Sequence, residues 1–428
     1  MIKNTPLLER HKAVLPRWMA LYYDEPISIE RGEGRTVWDG QGNQYLDFFG
    51  GILTTMTGYG VPEVVEAIRD QASKMLHTST LYLIESQIEL AEKIAALSGI
   101  PDAKVFFTNS GSEANDAALM LATSYRRSNH ILAMRHSYHG RSFATVPVTG
   151  NASWSPSGLS PFNVSYVHGS YRYRSPFKRL SDADYIEACV DDLRNMIEVS
   201  ASGDIACLLA EPILGVGGFA GPPDGLFGRF KRLLDQSGIL FISDEVQTGW
   251  GRTGESFWGY EPHGFTPDLI TFAKGLGNGL AVGGVVGRAD IIDCFTVNSI
   301  STFGGNPLAM RGALANLQYL EDHRLQENAR VQGQALMAGL KALQSKRPMI
   351  GDVRGKGLMI GVELVNPSDG SPSKDEARRI LEETKARGLL VGMGGFYGNV
   401  IRIAPPLSVT KDEVRQALTI IEDCFAAA

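Results

Sequence analysis

"LITFAKGLGNG", Leu269–Gly279, opens as a short apolar run suited to a buried strand, then meets a lysine followed by closely spaced glycines. An ammonium is costly to take out of water unless something neutralises or bonds it. Lys274 at the mouth of such a strand therefore needs an explanation. Working outward, runs of the same kind recur as "KVFFT" (104–108), "HILAMR" (130–135), "IACLLAEP" (205–212) and "LFISDEV" (240–246). Between them the pattern predicts helices over 62–76, 86–98, 113–126, 182–198 and 225–236. Short apolar runs alternating with helices predict an α/β fold with a mostly parallel sheet between layers of helices.

Both ends of the chain read differently. Residues 9–23 suit a short helix, and "ISIERGEGRTVWDGQGNQYLDFFGG" (27–51) suits a small antiparallel meander with Gly-rich turns. The segment 149–176, rich in Ser, Gly, Pro and aromatic residues, reads as a long surface excursion of the kind that lines sites. A helix opens at "NPLAMRGALANLQYLEDH", and another is expected over 373–387. The last hundred or so residues read as a smaller α+β unit.

Bulk properties exclude several classes of function. The 428 residues exceed one ordinary core and suit two or three packed units. The formal net charge is -6 and no dense Lys/Arg block occurs, which argues against nucleic acid as a partner. Cys189, Cys207, Cys294 and Cys424 lie far apart with no metal-ligand spacing, so reduced thiols, a cytoplasmic location and no metal are expected. No secretory apolar segment is visible, and no run of eighteen apolar residues suggests a membrane span.

In open parallel sheets ligands sit beyond the carboxyl ends of the strands. After "KVFFT" comes "NSGSEAND", a strand, tight turn and helix start with Ser112 as the expected cap. Free N–H groups there suit an anion such as phosphate, although an ordinary capped helix has the same form. After "HILAMR" comes "HSYHGRS", either a polar loop or, through Tyr138, an aromatic plate for a planar ligand. Asp244 ends "LFISD" and needs a cation or donor; a structural salt bridge would also satisfy it. Lys274 by itself could be a solvated strand-end charge, but a desolvated lysine at this place becomes a Schiff-base nucleophile. Phosphate cup, aromatic plate, strand-end acid and strand-end lysine together are what pyridoxal 5'-phosphate requires.

"NSGSEAN", "YHG", "EPI-x-G", "DEVQTGWGRTG", "AKGLGNG" and "TFGGNP", in this order, resemble the class III pyridoxal-phosphate-dependent aminotransferases of fold type I, over about residues 45–420. "LDFFGGI", "LHTST", "GDVRGKGLMIGVEL", "LLVG" and "IRIAPP" resemble the alanine-glyoxylate aminotransferase 2 and ω-transaminase branch. The resemblance implies a large cofactor-binding domain over 62–320, a small C-terminal domain over 321–428, and an N-terminal segment, 1–61, joining the small domain. It further implies that Lys274 carries the cofactor and shuttles a proton, Asp244 pairs with the pyridine nitrogen, and Gln247 bonds the ring hydroxyl. Tyr138 and Val246 would cover the ring faces, Ser110, Gly111 and Ser112 would hold the phosphate, and Glu211 would stand close behind. Thr302 resembles a residue that reaches the phosphate of a neighbouring subunit, which implies a homodimer, or a dimer of dimers, with sites at the subunit interface.

Arg402 matches the arginine that clamps a substrate carboxylate, a task suited to a bidentate guanidinium. Relatives that handle ornithine or 4-aminobutyrate with 2-oxoglutarate carry a glutamate at the end of "EPIQGE"; here the stretch is "EPILGV", with Val216. That departure favours alanine, or a β- or ω-amino compound, as amine donor and pyruvate or glyoxylate as 2-oxo acid acceptor, in a ping-pong reaction. Leu53 occupies a position where several amine transaminases carry tryptophan, which bears on the small substrate pocket. An ornithine/4-aminobutyrate-type enzyme, a dialkylglycine-type decarboxylase or aminomutase on the same scaffold, and a non-catalytic cofactor-binding module are the competing readings.

Overall fold

A computed structural model describes residues 6–200 and 204–426. The chain begins with a helix, Leu7–Val14, shorter than the 9–23 expected. It stops because Leu15, extended at φ -111 and ψ 148, precedes Pro16, whose ring clashes with a helical residue before it. Three antiparallel strands follow, β1 (Ile29–Glu33), β2 (Thr36–Asp39) and β3 (Gln44–Asp47), the expected meander.

The central sheet is built from β4 (Ala103–Thr108), β5 (His130–Met134), β6 (Asn163–Val167), β7 (Ile205–Ala210), β8 (Leu240–Asp244), β9 (Leu269–Phe272) and β10 (Gly283–Arg288). Its order is β4-β10-β9-β8-β7-β5-β6, and only β10 runs antiparallel to its neighbours. Successive residues in a strand point to opposite faces, and here both faces are covered. Cys207, Leu209 and Ile242 face the cluster beneath the helix Gly111–Arg126, while Leu208, Ala210 and Phe241 face the cluster that holds Tyr185, Phe227 and Phe230. That is why these strands read as continuous apolar runs. Strand β6 lies inside the stretch expected to be a surface excursion. It is a partly exposed edge strand whose "NVSYV" is too polar to stand out among its Ser, Gly and Pro neighbours.

Beyond the central sheet come β11 (Ile350–Lys356) and β12 (Met359–Leu364), then β13 (Leu389–Leu390), β14 (Gly392–Gly394) and β15 (Val400–Ile403). These form a second sheet in the order β11-β12-β15-β14, except that β13 leaves it to pair in parallel with β3. The chain's first strands and its last hundred residues thus meet in one sheet. Among the described residues, no helix is long and apolar enough to cross a membrane.

Candidate active site

The carboxyl ends of β4, β5, β7, β8 and β9 open on a cavity of about 430 Å3. Ser110, Gly111, Ser112, Tyr138, Glu211, Asp244, Val246, Gln247 and Lys274 all line it. The fold therefore gathers residues spread over more than 160 positions of sequence, because each follows a strand end on the same edge of one sheet.

Asp244 is the best-supported group in the cavity. Its Oδ2 accepts from Asn115 Nδ2 at 2.8 Å and from His139 Nδ1 at 2.7 Å, and its Oδ1 accepts from Val246 N at 3.1 Å. Asn115 is itself held by the Thr271 hydroxyl, which donates to its Oδ1 at 2.7 Å, and by the His139 carbonyl, which accepts from Nδ2 at 2.8 Å. The pleat sends the next residue, Glu245, the other way. It accepts from Gly259 N at 2.8 Å, Tyr260 N at 2.9 Å and the Thr248 hydroxyl, and burial pushes its carboxyl up to about 7. Of the adjacent acids in "SDEV", one therefore serves the cavity and one the core.

Lys274 follows β9 in a left-handed backbone conformation, φ 45, uncommon for a residue with a side chain. Its ammonium makes no hydrogen bond or ion pair among the described residues. Burial lowers its pKa below the ordinary lysine value, and Arg402 adds to this, while the charges of Asp244 and Glu211 oppose it. Glu211 is pushed upward, chiefly by burial, and accepts from Tyr138 N at 2.8 Å and Gly215 N at 2.7 Å. It thus fixes the backbone of two segments that frame the cavity.

At the opposite wall, the helix Gly111–Arg126 begins two residues earlier than expected. Ser110, not Ser112, is the cap: its Oγ accepts from Glu113 N at 3.2 Å, and Glu113 reaches back to accept from Asn109 N at 2.9 Å. This leaves the Ser112 hydroxyl over the helix N-terminus, where it accepts from Arg141 N at 3.1 Å. A Cβ at Gly140 would lie 2.5 Å from that hydroxyl, so only glycine permits the approach.

The remaining candidates stand outside the cavity wall. Arg402 is 6% exposed, with Nη1 donating to Gly215 O at 3.3 Å and Nη2 to Met393 O at 3.2 Å. Its guanidinium carbon lies 4.8 Å from the Phe49 ring centre and 5.6 Å from that of Phe219. Its Nε has no partner among the described residues, and no carboxylate pairs with it. Gly215 separates it from Gln247, whose side chain leaves no room for a Cβ there. Val216 follows Gly215 directly, and its carbonyl accepts from Gly395 N at 2.9 Å. Leu53 is packed with Phe49, Ile213 and Phe219, while its neighbour Ile52 lines the cavity. Thr302 is exposed on the surface. Sequence reasoning passed over Asn115, His139 and Arg141, all of which touch the cavity; the histidine and the arginine were visible in "HSYHGRS", but nothing local tied them to Asp244 or Ser112.

Pyridoxal phosphate fits what these residues leave unsatisfied. Gln247 Oε1 and His139 Nε2 are buried without partners among the described residues, the Lys274 amine is unengaged, and a helix N-terminus with two serine hydroxyls faces the same space. An acceptor for a ring hydroxyl, an anchored acid, an amine and an anion cup are the features that the cofactor needs. No group of three or more His, Cys, Asp or Glu among the described residues could hold a metal ion.

Comparison with known proteins agrees with this geometry. The family model described as aminotransferase class-III matches residues 19–425. The chain is 40% identical to alanine-glyoxylate aminotransferase 2 homolog 2, mitochondrial, of Arabidopsis thaliana, covering 95% of this chain and 84% of that one. It is 36% identical to the 5-aminovalerate aminotransferase of Pseudomonas aeruginosa, covering 99% and 98%. Among solved structures, a pyridoxal-phosphate-bound amine transaminase from an uncultivated Pseudomonas species superposes with a TM-score of 0.89 at 30% identity, covering 94% and 95%.

Proposed function

The chain belongs to the class III aminotransferases, which are pyridoxal-phosphate-dependent, and from that premise we propose that it moves an amino group from alanine, or a β- or ω-amino compound, to pyruvate or glyoxylate. The observation that carries the reading is Arg402, a buried cation with no carboxylate paired to it among the described residues and with Val216 in the adjoining turn. Leaving a buried guanidinium unpaired is costly, and a ligand carboxylate relieves that cost. With no acid in the turn to take the carboxylate's place, the preference for carboxylate-bearing partners persists through both halves of a ping-pong reaction. Arg141, at the rim of the same cavity and without an ion pair among the described residues, offers a second guanidinium for a donor whose carboxylate is remote from its amine.

When bound, pyridoxal phosphate supplies an electron sink for the carbanion formed at the substrate carbon. The chain's part is to place and protonate. Lys274 would hold the cofactor by its aldehyde and, once released, carry a proton at Nζ, a task that its lowered pKa suits. Asp244, kept in place by Asn115 and His139, would keep the ring nitrogen protonated. Gln247 Oε1 would accept from the ring hydroxyl, Tyr138 and Val246 would cover the ring, and Ser110, Gly111 and Ser112 would bond the phosphate. Glu211 braces the walls around them.

A homodimer, or a dimer of dimers, completes the proposal. Leu81, Tyr82, Leu83, Ile300 and Phe303 are exposed apolar residues, Leu83 at 93%, and the ring of His77 lies 5.1 Å from that of Phe303. Exposed apolar groups of this size mark interaction surfaces. Thr302 belongs to the same patch, where a partner's site would meet it. The pairing of β3 with β13 supports grouping residues 1–61 with 321–428 against a cofactor-binding unit over 62–320. All four cysteines are free, which suits the reducing cytoplasm.

A half-reaction panel tests the reading. Amine donors mixed with the cofactor-loaded protein should bleach its visible absorbance, and pyruvate or glyoxylate should then restore it faster than 2-oxoglutarate does. A wide preference for 2-oxoglutarate would overturn the reading of Val216. Lys274→Ala should lose both the visible absorbance and turnover.

A further inference from the structure

The segment ahead of β1 ends up behind Arg402. The Tyr22 hydroxyl donates to Met393 O at 2.8 Å and accepts from Met393 N at 2.7 Å. That same Met393 carbonyl accepts from Arg402 Nη2 at 3.2 Å. The ring of Tyr22 lies 5.7 Å from the ring of Phe49, which in turn flanks the guanidinium. Tyr22 therefore braces two supports of Arg402 at once, one hydrogen-bonded and one aromatic.

Two further observations show that this brace is built. A Cβ at Gly392 would lie 2.2 Å from the Phe49 ring, and one at Gly394 would lie 2.8 Å from Arg402 Nε, so β14 offers only backbone to this wall. β14 is paired with β15 along one edge, and the Tyr22 hydroxyl takes the N–H and carbonyl that Met393 turns to the other. The segment is itself tied to the helix Lys374–Ala386, which does not line the cavity. Arg378 donates to Tyr22 O at 3.0 Å and pairs with Asp24, Asp24 N donates to Glu382 Oε1 at 2.8 Å, and Lys385 donates to Glu25 O at 3.2 Å.

We propose that Tyr22 is a positioning residue for Arg402, and that the N-terminal segment thereby sets how strongly the site prefers a carboxylate-bearing ligand over a neutral one. This rests on the reading that Arg402 receives the carboxylate. A tyrosine that served only packing would affect ligands with and without a carboxylate alike.

The test uses the cofactor-loaded full chain and two probes that capture the cofactor's aldehyde whatever the natural substrate, aminooxyacetate with a carboxylate and methoxyamine without. The readout is the ratio of their capture rates, followed by absorbance. Tyr22→Phe keeps the ring and should lower the ratio about fivefold. Arg378→Ala, which loosens the segment from its helix, should lower it about twofold. In an Arg402→Ala background, Tyr22→Phe should have no further effect. Equal slowing of both probes by Tyr22→Phe, an unchanged ratio, or a full effect without Arg402 overturns the proposal. Should Arg402→Ala itself leave the ratio unchanged, the reading of Arg402 fails instead.

Discussion

Asp244 and Arg402 are both buried, Asp244 lining the cavity and Arg402 outside its wall, and they are held in opposite ways. Asp244 takes directed hydrogen bonds from Asn115, His139 and a backbone amide, so that one carboxylate oxygen is engaged twice and the other once. Arg402 has two backbone carbonyls, two aromatic rings and an Nε unpartnered among the described residues. In the proposed function Asp244 would always face the same ring atom, and a fixed task of that kind calls for multiple directed bonds from rigid elements. A group that must receive and release different ligands is better left short of one partner. Under the proposed function, the rigid end would govern the chemistry and the unsatisfied end would govern which molecules enter it.

Substitutions can break or sharpen that contrast. The largest effect is expected at Asp244→Asn, which keeps the shape and removes the charge: kcat should fall on the order of 10^3-fold with every substrate, measured in steady state. Arg402→Ala should lower kcat/KM for pyruvate by about 100-fold and leave the cofactor's visible spectrum in place, a selective loss that equal damage to spectrum and turnover would contradict. Asn115→Ala should cost about tenfold in kcat across substrates, because Asp244 Oδ2 loses one of two donors. An effect confined to KM would mean that Asn115 does not act through Asp244.

The smallest effect is a displacement on the pH axis. Burial lowers the Lys274 pKa, so in cofactor-free protein its neutral amine forms at lower pH than that of a surface lysine. Labelling of Lys274 by an amine-directed reagent, quantified by mass spectrometry, should therefore half-saturate below the ordinary lysine value of 10.5. The unfolded chain binds the same proton more tightly, so Lys274 contributes a rise in stability as pH climbs from the folded pKa to the unfolded one. Lys274→Met should remove that portion of the slope in thermal denaturation.

Much of the candidate site's placement was legible because its residues mostly follow apolar runs, and runs of that length between helices argue for strands of a covered sheet. Asp244 and Lys274 carried their own signal: a charge at the end of a buried strand has few reasons to be there. Ser110 as cap was missed because three small residues in "NSGS" are all competent, and only the extended backbone at φ -153 decides among them. Strand β6 was missed because an edge strand need not be apolar. Tyr22 was invisible, since its partner Met393 lies 371 residues away.

By itself the sequence determined the class of fold and most of its covered strands and helices, and it nominated Lys274, Asp244 and the "NSGSEAN" turn as candidates, because periodicity is local and each candidate adjoins an apolar run. Only the tertiary structure decided which atoms hold Asp244, that Arg402 is left without a carboxylate among the described residues, and that the segment carrying Tyr22 braces it. Those outcomes arise where strands distant in sequence converge on one edge, and burial there forces every polar atom either to find a partner across that distance or to wait for a ligand.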